Sequence, residues 1–154
     1  MLVTVENVKI TGKFEKDPYM EEHIESYAKE FNDKLDRVIG YSDVDLEGRF
    51  VYLRSEETNL ANWISDIVWT EHEDVDLCLI NSGTLRYNSV ISKGEITARM
   101  IANLLPQGDS DKIVIIKIPG WIVREMLENS VYAYPKLDGR FATFSGLKFS
   151  FDPE

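Results

Sequence analysis

The feature that most constrains this chain is the stretch Leu77-Cys78-Leu79-Ile80-Asn81-Ser82-Gly83-Thr84-Leu85-Arg86. Its apolar run, with Asp74 and Asp76 ahead of it, reads as a short buried strand. The run stops at a turn that carries an amide (Asn81), a glycine (Gly83) and a guanidinium (Arg86). A stiff strand that ends this way delivers both polar groups to one place, and glycine lets the backbone approach closely or take positive φ. On the residues alone two readings stay open: a ligand-facing loop, or an ordinary strand-to-loop turn with a surface arginine.

The totals narrow the class. A chain of 154 residues is one domain's worth, long enough for a sizeable core. With 27 Asp and Glu against 17 Lys and Arg, the formal charge is -10, which disfavours nonspecific binding to nucleic acid or to an anionic membrane. A phosphate can bind such a protein only where its few cationic side chains converge. The single cysteine, Cys78, rules out an internal disulfide and a cysteine-rich metal site, and its place in the apolar run makes it a small buried hydrophobe. No apolar stretch approaches the roughly 20 residues of a membrane span. The start Met-Leu-Val-Thr-Val-Glu does not read as a signal peptide.

Taken in order, residues 2–10 alternate loosely and predict a strand ending at Thr11-Gly12. Asp17-Pro18 supplies an N-cap and a first-turn proline. Met20, Ile24, Tyr27, Phe31, Leu35 and Val38 then form one apolar stripe of a helix that Gly40 would stop. Residues 44–49 read as a strand and turn. Thr58 or Asn59 caps a helix with Leu60, Trp63, Ile64, Ile67 and Val68 on one face, and Thr97 caps another through Met100, Ile101 and Leu104, ended by Pro106. Residues 112–118, rich in Ile and Val, predict a buried strand. Pro119-Gly120 then opens a helix with Trp121, Ile122, Met126 and Leu127 inward. After a loop through Asp138-Gly139, residues 147–151 predict a last strand, with Phe141 and Phe144 as packing or base-stacking aromatics. Strands and helices do not alternate cleanly enough for a doubly wound sheet, so the expected class is α+β: a mixed sheet with packed helices, preceded by a long amphipathic helix.

Asn81-Ser82-Gly83-Thr84-Leu85-Arg86 resembles the Asn-x-Gly-x-(Ile/Leu)-Arg signature of the 5'-nucleotidase family, in its C-terminal substrate-recognition domain. The likeness runs on in order through Gly94-Glu95-Ile96-Thr97, Leu104-Leu105-Pro106, Pro119-Gly120-Trp121, Leu127-Glu128-Asn129-Ser130, Gly139-Arg140-Phe141 and Ser145-Gly146-Leu147-Lys148-Phe149. It implies that residues 1–40 are the end of a metallophosphatase domain with its bridging helix, and that residues 41–154 are the C-terminal-type domain, incomplete at its end. The chain is thus expected to be a piece of a longer nucleotide-dephosphorylating hydrolase whose catalytic domain is its partner.

The same resemblance implies a substrate-binding set of Arg54, Asn81, Gly83, Arg86 and Gln107. A guanidinium suits a phosphate because its planar fork bonds two oxygens at once. Gln107 stands where the family often has a base-stacking phenylalanine, and an amide offers hydrogen bonds but little stacking area. The family's catalysis needs two divalent metals held by several histidines. This chain has only His23 and His72, in none of the metal-binding patterns, so no catalytic or metal-ligating residue is expected here. No compartment is indicated, although family members are often exported. The competing reading is a noncatalytic protein-binding module that keeps the fold.

Overall fold

The computed structural model describes residues 5–72, 74–106 and 112–153. Helix α1 spans Pro18–Leu35 and starts where the sequence predicts: Asp17 Oδ1 accepts the backbone N–H groups of Tyr19 and Met20 at 2.9 and 3.2 Å. It ends earlier than predicted. Val38 and Gly40 belong instead to strand β1 (Val38–Ser42), which pairs antiparallel with β5 (Gly94–Thr97). Val38, Ile39 and Tyr41 are strand formers, and pairing with β5 outweighs continuation of the helical stripe. Most of that stripe faces outward, with Ile24, Tyr27 and Phe31 about 60% exposed. What ties α1 down is Arg99 at the start of α4 (Ala98–Leu104): its Nε donates to Asp36 and its Nη2 to Asn32, each at 2.6 Å.

The core lies around α3 (Asn59–Thr70). Thr58 caps it by accepting the Ala61 N–H, and Leu60, Ala61 and Ile64 are buried. They pack with Leu46 of β2 (Leu46–Glu47), Leu53 of α2 (Phe50–Leu53), Leu85, Ile91 of β4 (Val90–Ile91), Ile96 and Leu104. Burial of a side chain such as Leu60 contributes roughly 1.5–3 kcal/mol. The structure is α+β, as expected from the sequence, with its strands in three two-stranded antiparallel sheets among the described residues.

β3 (Cys78–Asn81) forms where the sequence predicts and pairs with β6 (Ala142–Ser145), Cys78 opposite Ser145 and Asn81 opposite Ala142. The predicted strand at 147–151 is therefore displaced to 142–145. Gly146, at φ +80° with Asp76 O against it, ends the pairing. Beyond it, Phe149 and Phe151 pack ring to ring with Phe144 and Tyr134 rather than entering a ladder.

Two further strand predictions fail for one reason. Residues 5–10 and 112–117 carry no regular secondary structure, are exposed and have no partner strand among the described residues, and residues 2–4 of the first predicted strand lie outside those. A strand exists only when a neighbour takes its N–H and C=O groups, whatever its own preference. Helix α5 (Gly120–Val131) follows as predicted, but Trp121 points outward, 66% exposed, while Ile122, Met126 and Leu127 are half-buried.

Candidate functional site

β3 delivers Asn81 to a single 3₁₀ turn, Ser82–Thr84. The turn is fixed against the loop that leads into β6. Ser82 N–H donates to Phe141 O and Gly83 N–H to Gly139 O, both at 2.8 Å. The Asn81 amide braces the same joint, donating to Gly139 O at 3.2 Å and accepting the Thr84 hydroxyl at 3.1 Å. Gly83 is required by this close approach. A Cβ there would stand 3.0 Å from Asn81 Nδ2 and 3.1 Å from Gly139 O.

Arg86 follows the fully buried Leu85. Its backbone N–H donates to Leu104 O at 2.8 Å, and its guanidinium reaches back to Gly83 O at 3.3 Å, leaving the side chain exposed. Arg54 sits at the C-terminal end of α2 with its guanidinium 4.3 Å from the centre of the Phe50 ring. Its Nε is buried and has no hydrogen-bond partner among the described residues. The Phe50 N–H donates to Asn88 Oδ1 at 2.8 Å, which joins the Arg54 helix to the segment just after Arg86. Asn81, Gly83 and Arg86 are thus gathered at and just after one turn, and the helix that carries Arg54 is linked to the same segment by the Phe50–Asn88 bond and by the core that Leu53 and Leu85 share. Gln107 lies outside the described residues.

One part of the region is not visible in the sequence pattern. A cleft of about 370 Å³ opens beside Asn81, lined also by Leu79, Met126 and Ala142 and by Asn129, Asp138 and Arg140. Ser130 closes one wall, its hydroxyl accepting the Ala142 N–H at 2.8 Å. Asp138 accepts both the backbone N–H and the Nε of Arg140, at 2.9 and 3.2 Å. Those two bonds, the backbone one foremost, hold its carboxyl below the usual carboxylate range. The available signal was Asp138-Gly139-Arg140, which reads as a turn; that it faces β3 depends on the β3–β6 register.

Among the described residues, no three His, Cys, Asp or Glu side chains converge to hold a metal ion. His23 stands on α1 between Tyr19 and Tyr27, at ring separations of 5.5 and 5.9 Å. These residues do not fit the two-metal pair of a metallophosphatase. Cys78 is half-buried, and burial, then the Asp66 charge, push its thiol upward, away from the reactive thiolate.

Comparison with known proteins agrees with the motif order. Residues 38–154 match the family model for the 5'-nucleotidase C-terminal domain. The trifunctional nucleotide phosphoesterase protein of Bacillus subtilis is 26% identical over 140 residues, 89% of this chain and 9% of that protein. The protein 5NUC of Lutzomyia longipalpis is 31% identical over 147 residues, 84% of this chain and 25% of that protein. The crystal structure of the 5'-nucleotidase precursor from Thermus thermophilus superposes with a TM-score of 0.72 at 31% identity, covering 83% of this chain and 25% of that one. The NAD nucleotidase of Haemophilus influenzae shares the fold, with a TM-score of 0.59 at 19% identity over 84% of this chain and 24% of that one. The chain therefore spans a quarter or less of the length of these relatives. With its signature turn, fold and family match in agreement, the chain belongs to the 5'-nucleotidase family and corresponds to its C-terminal domain.

Proposed function

We propose that this domain holds the phosphate ester of a nucleotide and presents it to a separate catalytic domain of the same protein. The observation that carries the reading is the buried, unpartnered Nε of Arg54. An unpaired buried donor costs on the order of 1–3 kcal/mol, and more on a charged group, and an anion that accepts from it removes the cost. Arg86 supplies a second guanidinium, tethered to Gly83 O by one weak bond and so free to turn to a ligand. Asn81 has its amide spent on Gly139 and Thr84, so its task is to shape the turn that presents Arg86.

The arrangement positions rather than reacts. Two arginines can orient a phosphoryl group and offset its negative charge, which is catalysis by proximity and charge stabilisation. The water-activating chemistry of two divalent metals would belong to the catalytic domain, and no step here is assigned to this chain. The exposed apolar face of α1 gives that domain a surface to meet.

Calorimetric titration of the chain with adenosine monophosphate tests the reading. Saturable binding is expected, weakened at least about tenfold in Arg86→Ala and in Arg54→Ala by loss of a charge-assisted bond pair. Equal affinity in both variants would contradict it. In the longer protein Arg86→Ala should raise KM or lower kcat several-fold with the domain still folded; unchanged kinetics would make Arg86 a surface residue. Gln107→Phe should tighten purine nucleotides if the base lies beside it.

A further inference from the structure

The run Ile113-Val114-Ile115-Ile116-Lys117 leads into α5 with its four aliphatic residues each 62–72% exposed. No backbone hydrogen bond joins it to a strand or loop among the described residues. Successive residues of a strand face opposite ways, so an apolar run without alternation needs cover on both faces. Composition points the same way: β-branched residues stand at four consecutive positions, with no acidic group among them and Pro119 only beyond the run. A bare segment of this kind is a template for another strand. The described strands are already matched in pairs, β1 with β5, β2 with β4 and β3 with β6.

We propose that this segment pairs with its own counterpart in a second copy of the chain, antiparallel about a two-fold axis through Ile115. Self-complementarity selects that occupant. With Ile115 opposite Ile115, Val114 faces Ile116 and Ile113 faces Lys117, so no two like charges are opposed. A slip of one residue in one direction sets Lys112 against Lys117, and in-register parallel pairing sets each lysine against itself; both are destabilising. A slip the other way draws in Ile118, which is already half-buried within its own copy. Residues 5–10, also unpaired, offer a poorer match, since Glu6 and Asn7 separate Val5 from Val8. Covering the four aliphatic side chains in both copies removes on the order of 1,000 Å² from water, the lower bound for a specific interface, so the dimer is a weak one. The charge of -10 on each copy opposes addition of a third chain.

Sedimentation equilibrium of the 154-residue chain tests the proposal, with Ile115→Lys alongside. A monomer–dimer equilibrium is expected in the range of about 10–100 µM, with the dissociation constant raised at least about tenfold in Ile115→Lys, which sets two lysines against each other on the axis. Ile115 is 63% exposed within one copy, so the lysine leaves the fold of that copy intact. Disulfide capture reads the register. In a Cys78→Ser background, Ile115→Cys should cross-link two copies on mild oxidation, whereas Val114→Cys, placed opposite Ile116, should cross-link far less. A chain that stays monomeric throughout that range, assemblies larger than a dimer, an Ile115→Lys dimer as tight as the wild type, or equal cross-linking at positions 114 and 115 overturns the proposal.

Discussion

Gly83 and Gly146 differ in what an added methyl would meet. At Gly83 the nearest contacts are 3.0 Å to the amide of Asn81 and 3.1 Å to the backbone oxygen of Gly139, tight enough that both neighbours must give by a few tenths of an ångström. At Gly146 the contact is 2.4 Å, to the backbone oxygen of Asp76, and φ is +80°. Gly146→Ala should therefore destabilise by about 2 kcal/mol or more, from left-handed strain plus overpacking, and Gly83→Ala by about 1 kcal/mol. Urea unfolding of the two variants checks the order, and a reversed order would mean the 81–86 turn is the stiffer joint. Asp138 supplies a pH prediction. Its folded pKa is depressed by Arg140, so the contact stabilises above the ordinary carboxylate range and is lost as pH falls through the lowered value. An NMR titration of the Asp138 carboxyl should show a midpoint below that of an ordinary aspartate, moving only part of the way back up in Arg140→Ala, which keeps the backbone bond and loses the side-chain one. An unshifted midpoint in the wild type would show that the pair does not persist in solution.

The helix caps are legible because they are local. Asp17, Thr58 and Thr97 each accept an amide two or three residues on, so the signal and the bond lie in one short window. Thr58→Ala should accordingly cost about 1 kcal/mol of stability in thermal or urea unfolding. Strands are legible only where the partner happens to be present. Cys78 to Ile80 forms the strand its apolar run predicts, whereas Ile113 to Ile116, with stronger strand preference, is exposed and unpaired among the described residues. The α1–α4 junction is invisible in the sequence, since Asp36 and Arg99 lie 63 residues apart. Arg99→Ala should speed amide exchange in the last turns of α1 while leaving α3 unchanged. Equal protection in both proteins would mean that packing, not this bridge, holds α1.

Over the whole molecule, family membership is readable from the order of short motifs, and Asn81, Gly83 and Arg86 are readable as one turn because they are contiguous. The cleft is not, because Leu79, Met126 and Asp138 meet only through the β3–β6 pairing and the packing of α5. Nor does any local pattern announce that the Arg54 Nε is buried without a partner. The guanidinium lies over the Phe50 ring, a contact between residues four apart whose geometry no residue pattern states. In an acidic molecule, a phosphate must find its cations locally, and Arg54 and Arg86 are the ones this fold ties to the signature turn.

The most direct test observes that nitrogen. Side-chain Nε–Hε NMR resonances of the arginines are followed while adenosine monophosphate is added to the chain. The account predicts that the Arg54 and Arg86 signals shift together and saturably, with Arg54 Hε moving downfield as its first hydrogen-bond acceptor arrives. Unmoved Arg54 and Arg86 signals at ligand concentrations that perturb other residues would place the phosphate elsewhere and contradict the account.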